Sequence, residues 1–171
     1  CVIMEPLTVS APAKVNLALH ILGRRADGFH ELATLFERVS LADELTLVPI
    51  RERKVVLRCD DPLVPTGERN LAFRAAIAWL AEVGPAWNGG VEIDLKKKIP
   101  MGAGLGGGSS DAAAVLRGLN TLAPHPLPPS TLATLAAILG ADVPFFLNGR
   151  MAIGRGIGEK LSSVTFEHET H

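Results

Sequence analysis

Apolar and polar positions alternate through the early part of the chain. Val15, Leu17, Leu19 and Ile21 stand in one phase, and Lys14, Asn16, Ala18 and His20 in the other. A period of two puts the first set in a core and turns Lys14, Asn16 and His20 to the opposite face of a strand. The strand signal begins earlier, at Leu7-Thr8-Val9. Arg24-Arg25-Ala26-Asp27-Gly28 reads as a turn, while 29–39 fits either a strand or a helix. Leu45-Thr46-Leu47-Val48 and Val55-Val56-Leu57 are strand-like. From Asn70 the period changes: Phe73, Ala76, Ile77 and Leu80 share a helical face, Asn70 supplies the N-cap and Gly84-Pro85 the stop. Val91, Ile93 and Leu95 alternate again. A glycine run then opens a helix that turns Ala112, Val115, Leu116 and Leu119 inward. After a rigid proline-rich connector at 124–129, Ser130 caps a third helix with Leu132, Leu135, Ala136 and Leu139 inward and Gly140 as its stop. Met151-Ala152-Ile153 is a last strand, running into the glycine-rich 154–159, and Ser162 to His171 shows no clear pattern. No internal repeat is present. Strands and helices interleaved in this way indicate an α+β domain.

With 171 residues, 47% of them hydrophobic, the chain has material for one globular core. Its net charge of −1 supplies no field for nucleic acid or an acidic membrane surface. Two cysteines, Cys1 and Cys59, make neither a disulfide framework nor a metal cluster, which points to a reducing, cytoplasmic setting. No apolar run reaches the roughly 18 residues of a membrane span, and no basic-then-apolar leader is seen. Cys1-Val2-Ile3 before Met4 reads as an upstream extension of the start.

Chemistry concentrates in Pro100-Met101-Gly102-Ala103-Gly104-Leu105-Gly106-Gly107-Gly108-Ser109-Ser110-Asp111. Glycines let the backbone take positive φ and let a ligand approach the N–H groups. The first turn of the helix after them offers unpaired N–H donors and the positive end of its dipole. Together they form an anion seat, suited above all to a nucleotide phosphate. Gly102, Gly104 and Gly107 also spell G-x-G-x-x-G, but a dinucleotide fold needs an acid about 20 residues on. That position falls in the proline cluster, and the Gly-Lys-Ser/Thr of a P-loop is missing as well. Lys96-Lys97-Lys98 precedes the glycines, as solvated strand-end lysines or with one beside the nucleotide. Asp142 comes after the third helix and precedes Pro144, Phe145 and Phe146. It fits either a turn aspartate bonding its own backbone or a carboxylate that orients an attacking hydroxyl.

Four blocks, in order, carry a resemblance. They are Ala11-Pro12-Ala13-Lys14-Val15-Asn16-Leu17, Arg25-Ala26-Asp27-Gly28-Phe29-His30-Glu31-Leu32, the glycine run through Ala113, and Leu139-Gly140-Ala141-Asp142-Val143-Pro144-Phe145-Phe146. From about Leu7 to Leu161 the chain resembles the galactokinase/homoserine kinase/mevalonate kinase/phosphomevalonate kinase (GHMP) superfamily. Within it, the likeness is to the branch that phosphorylates a cytidine-diphosphate-linked methylerythritol in non-mevalonate isoprenoid synthesis. The resemblance implies the ribosomal protein S5 domain 2-like N-terminal domain, ATP and Mg²⁺ as cofactors, and transfer of the γ-phosphoryl to a 2-hydroxyl. It implies catalytic roles for Asp142 and Lys14, and a phosphate loop comprising Pro100, Gly102, Gly104, Leu105, Gly106, Gly107, Gly108, Ser109 and Ser110, one serine helping to place Mg²⁺. Asn70 and Lys97 fall on the adenine side, and Asn16, Phe29 and His30 among the substrate contacts, with His30 bonding cytosine. Phe29 stands where the family more usually has tyrosine. The resemblance also favours a strand for 29–39, and divides the chain into an ATP-binding domain at 1–161 and a tail at 162–171, with the family's second domain absent. The implied partner is a small-molecule substrate, without nucleic acid or membrane. A sister small-molecule kinase, or an S5-like module that binds nucleotide or RNA without catalysis, are the competing readings.

Overall fold

The computed structural model describes residues 5–24, 30–148, 151–156 and 160–163. Six strands form one sheet: β1 (Leu7–Arg24), β2 (His30–Ile50), β3 (Val55–Cys59), β4 (Gly90–Lys96), β5 (Met151–Gly156) and β6 (Lys160–Ser163). Among the described residues four α-helices accompany it: α1 (Leu71–Val83), α2 (Gly107–Leu122), α3 (Pro129–Leu139) and α4 (Val143–Asn148). The long β2 organises the sheet. It pairs antiparallel with β1, with β4 over 44–50 and with β5 over 32–37; β3 lies parallel to β4, and β6 antiparallel to β5. The ambiguous 29–39 is therefore strand from His30 onward, and Leu45-Val48 is its continuation. β6 was not foreseen, and it crosses the expected boundary at 161.

Core and solvent alternate where the strands are regular. Leu45 and Leu47 on β2, Val91, Ile93 and Leu95 on β4, and Leu57 on β3 are buried beneath the helices. The opposite face carries Thr8 bonded to Thr46 (3.1 Å), Lys96 to Glu44 (3.0 Å) and Arg58 to Glu92. Such exposed pairs stabilise little. α2 is buried nearly all round, with Ala112, Val115, Leu116 and Leu119 as expected and also Ala113, Ala114 and Gly118. Gly118 lets it settle onto β2, because a Cβ there would strike the Leu47 side chain.

The alternation fails in β1. Leu17 has no residue opposite it between the pairs Asn16↔Phe36 and Ala18↔Leu35, and it is 52% exposed instead of core. One extra residue is left unpaired and bends the strand, which breaks the alternation at that point. A larger shift, with 39–41 of β2 opposite Ala13 alone, precedes Lys14. Ala13 and Lys14 are both buried as a result, so Lys14 does not face solvent as the period implied.

Two helices also depart from expectation. The buried stripe of α1 is Ala72, Ala75, Ala76, Trp79, Leu80 and Val83, which leaves Ile77 exposed. Trp79 anchors it edge-on against Trp87, with ring centroids 5.2 Å apart. α3 begins at Pro129, so Ser130 lies within its first turn and caps nothing. Proline suits that opening position because its missing N–H would lack a partner there. Gly84 and Gly140 end α1 and α3 as read.

Candidate active site

The glycine run folds as a loop whose left-handed residues alternate: Gly102, Gly104 and Gly106 have φ of +71°, +72° and +71°. L side chains avoid that region, which explains the spacing. Gly106 is also sterically confined, since a Cβ on it would lie 2.9 Å from Phe146 Cζ and 3.2 Å from Lys14 Cε. α2 begins at the next residue with no side-chain cap, so the free donors of its first turn and its dipole face the loop. The loop is tied to β1 by Lys14 N–H donating to the Leu105 carbonyl at 2.9 Å.

Lys14 and Asp142 meet on the Gly106 side. Lys14 Nζ lies 3.4 Å from Asp142 Oδ2 and 4.2 Å above the Phe36 ring. The ammonium is held in a buried slot while the Asp142 side chain stays 40% exposed, open to an incoming group. Asp142 occupies the turn between α3 and α4. The six-residue α4, which periodicity alone does not predict, carries Phe146 to Gly106. Its last carbonyls are gripped by guanidinium groups: Arg38 donates to Phe145 O at 3.1 Å and Phe146 O at 2.5 Å, and Arg117 to Phe146 O at 2.6 Å. Cations at a helix C-terminus oppose its negative end.

On the other side of the loop, a cleft of about 310 Å³ is bounded by 64–65, 69–71, Lys97, 100–108 and Asp111. The loop and its two predicted neighbours Asn70 and Lys97 therefore converge. Asn70 is buried and its amide is engaged within the chain, accepting from Ala72 N–H (2.8 Å) and donating to Pro65 O (2.8 Å). It caps α1 as read and holds the cleft wall. The three lysines separate: Lys96 pairs with Glu44 on the outer face, Lys98 is exposed, and Lys97 turns inward. Its ammonium bonds Asp43 and, at 3.0 Å, Asp111. Burial works against that charge, but the Asp111 and Asp43 carboxylates outweigh it and raise the lysine pKa. Asp111 is pushed up to about 7, chiefly by burial, with Lys97 pulling the other way.

Asp43 lies in no motif, and Asp111, though it closes the glycine run, has no role assigned by it. Asp43 shares the phase of Leu45 and Leu47, so a carboxylate on a core face was the available signal. Ser110 is 1% exposed and its Oγ has no partner among the described residues, whereas Ser109 is partly open. Asn16 is exposed on β1. Phe29 lies outside the described residues, as does the side chain of His30, so the expected cytosine contacts have no described geometry. Among the described residues no group of acids, histidines and cysteines is arranged to hold a metal by itself, and no helix is long and apolar enough to cross a membrane.

Residues 70–150 match the family model for the GHMP kinases N terminal domain. The chain is 52% identical over 159 residues to a 4-diphosphocytidyl-2-C-methyl-D-erythritol kinase of Desulfotalea psychrophila, covering 92% of this chain and 53% of that protein. A kinase of the same name from Burkholderia thailandensis is 51% identical over 154 residues, covering 90% and 52%. The chain thus spans about half the length of the curated relatives it matches. A crystal structure of 4-(cytidine 5'-diphospho)-2C-methyl-D-erythritol kinase superposes with a TM-score of 0.81 at 49% identity, covering 94% of this chain and 56% of that one. A homoserine kinase from Cytophaga hutchinsonii, at 22% identity and a TM-score of 0.67 over 93% of this chain and 51% of its own, shares the fold.

Proposed function

Because the chain has the fold of the GHMP kinase N-terminal domain and matches 4-diphosphocytidyl-2-C-methyl-D-erythritol kinases over half their length, we propose that it forms the ATP-binding part of such a kinase. The reaction moves the γ-phosphoryl of ATP to the 2-hydroxyl of 4-diphosphocytidyl-2-C-methyl-D-erythritol. The observation that carries this reading is the Lys14–Asp142 pair set at Gly106, where the phosphate loop enters α2.

Phosphoryl transfer through a loose transition state needs alignment and charge neutralisation more than covalent help. The loop N–H groups and the α2 dipole hold the phosphates in the cleft. Asp142, half-open at the mouth of the α3–α4 turn, accepts a hydrogen bond from the substrate 2-hydroxyl and aims its oxygen at the γ-phosphorus. As the new P–O bond forms, the β–γ bridging bond breaks to release ADP, and the hydroxyl proton passes late to the Asp142 carboxylate. Lys14 fixes the orientation of that carboxylate and offers its charge to the transferring group. The buried, unpartnered Ser110 Oγ is a hard oxygen donor of the kind Mg²⁺ accepts, and Ser110, with Ser109 beside it, would hold the ion. When bound, Mg²⁺ supplies charge neutralisation on the phosphate oxygens.

Asn16, Phe29 and His30 are assigned to the substrate by this reading, and Asn70 and Lys97 to the walls of the adenine side. The near-zero net charge favours a small-molecule substrate over nucleic-acid or membrane partners, and the sparse cysteines fit a reducing, cytoplasmic setting. The test is transfer of labelled γ-phosphate to the cytidyl substrate by the protein bearing this chain, with mevalonate and homoserine as competing acceptors. Label in the cytidyl product alone is expected; preference for another acceptor would replace the substrate assignment.

A further inference from the structure

The mechanism uses neither Asp43 nor Asp111, yet both carboxylates are buried, at 1% and 3% exposure. A charge in such a place is costly unless it is fully paired. Asp43 meets that demand with bonds that all lead toward the phosphate loop. Its Oδ1 accepts from the N–H groups of Lys98 (2.5 Å) and Ile99 (2.8 Å), and its Oδ2 from the Lys97 ammonium. The same ammonium donates at 3.0 Å to Asp111, in the first turn of α2. It also lies 3.2 Å from where a Gly107 Cβ would stand, directly against the helix entrance.

One network therefore joins β2, the chain entering the loop and the helix leaving it. Both ends of 100–106 are tethered to the same buried lysine. With both carboxylates ionised, the three side chains sum to a negative charge behind an anion seat, which opposes phosphate binding. Attraction is not what they contribute; spacing is. Resting on the nucleotide-site reading above, we propose that Asp43 and Asp111 are positioning residues for the triphosphate. Acting through Lys97, they hold the two ends of the loop at the separation that points its N–H groups to one place.

The sign of a charge-removing substitution tests this. In alkaline buffer, with both carboxylates ionised, inorganic tripolyphosphate is titrated calorimetrically into the chain and into Asp43→Asn and Asp111→Asn, and adenosine binding is followed by ligand-observed NMR. If the cluster acted only through its charge, either variant would bind tripolyphosphate more tightly. The positioning role instead predicts a roughly tenfold loss in Asp43→Asn and a smaller loss in Asp111→Asn, as expected when binding groups are no longer preorganised. Adenosine affinity is expected to fall less than tripolyphosphate affinity in both, because Lys97 and Asp111 also line the cleft while adenosine makes no demand on the spacing of the loop ends. Asp111→Asn leaves Lys97 and Asp43 as a neutral pair, so it keeps the test open should Asp43→Asn fail to fold. Unchanged or tighter tripolyphosphate binding in the folded variants, or an equal loss for adenosine, would overturn the proposal. Absence of both ATP and tripolyphosphate binding by the unaltered chain would overturn the nucleotide-site reading itself.

Discussion

Lys14 and Asp142 lie 3.4 Å apart, the ammonium in a buried slot and the carboxylate half-open, so of the two the acid is the one exposed enough to meet an incoming group. On the proposed kinase reading, Asp142→Asn keeps the shape but removes the proton acceptor, and turnover is expected to fall by about 10²–10⁴-fold. Steady-state phosphate transfer checks this, and retention of half the rate would remove Asp142 from the chemistry. Asp111 gives a prediction about stability. Its folded pKa of about 7 lies above the ordinary value of 3.8, so the folded state binds the proton more tightly than the unfolded chain does. Its contribution to stability is fully present below the ordinary value and is lost as pH rises through about 7. Urea unfolding at pH 4.5 and 7.5 should therefore show a decline that is reduced in Asp111→Asn. At this scale the sequence was legible in part. The resemblance drew attention to both Lys14 and Asp142, but the two-residue period turned Lys14 outward because a bulge leaves no mark in the alternation. Asp43 showed its place only through its phase with Leu45 and Leu47, a signal with no motif attached.

The glycine loop and α2 were the most readable elements, since left-handed positions demand glycine and a buried helix demands small and apolar residues together. Gly104 and Gly106 separate the two reasons for glycine. Both have left-handed φ, but a Cβ on Gly104 meets nothing within 4 Å, while one on Gly106 presses on the Phe146 ring. Gly104→Ala is expected to cost about 1–2 kcal/mol from the backbone alone. Gly106→Ala should add about 1–3 kcal/mol of overpacking, and denaturant unfolding of the pair measures the difference. Less readable was α4. Its six residues are too few to show a period, and it is held from outside, by the Arg38 and Arg117 guanidinium groups on its last carbonyls. Arg117→Met should cost about 1.5–3 kcal/mol, the range for hydrogen bonds from a charged donor, by the same measurement. α3 misled the N-cap reading because proline needs no cap.

For the molecule as a whole, interleaved strands and helices indicated α+β, but strand order was beyond the reach of periodicity. Nothing local says that β2 pairs with β4 at one end and β5 at the other. If the cleft binds ATP in the isolated chain, ligand at a hundredfold excess over Kd should add about 2.7 kcal/mol to the unfolding free energy. Scanning calorimetry with and without ATP reads this, and an unchanged transition would count against the cleft. The two partners of β2 leave the stretch 38–43 between them. Arg38 at one end grips the helix next to Asp142, and Asp43 at the other secures the entry to the glycine loop. On the kinase reading proposed above, the length of that stretch is a gauge between acceptor and donor. Adding or removing residues there would also shift the register that seats Lys14 opposite Arg38, and on that reading it would spoil the distance a phosphoryl group must cross.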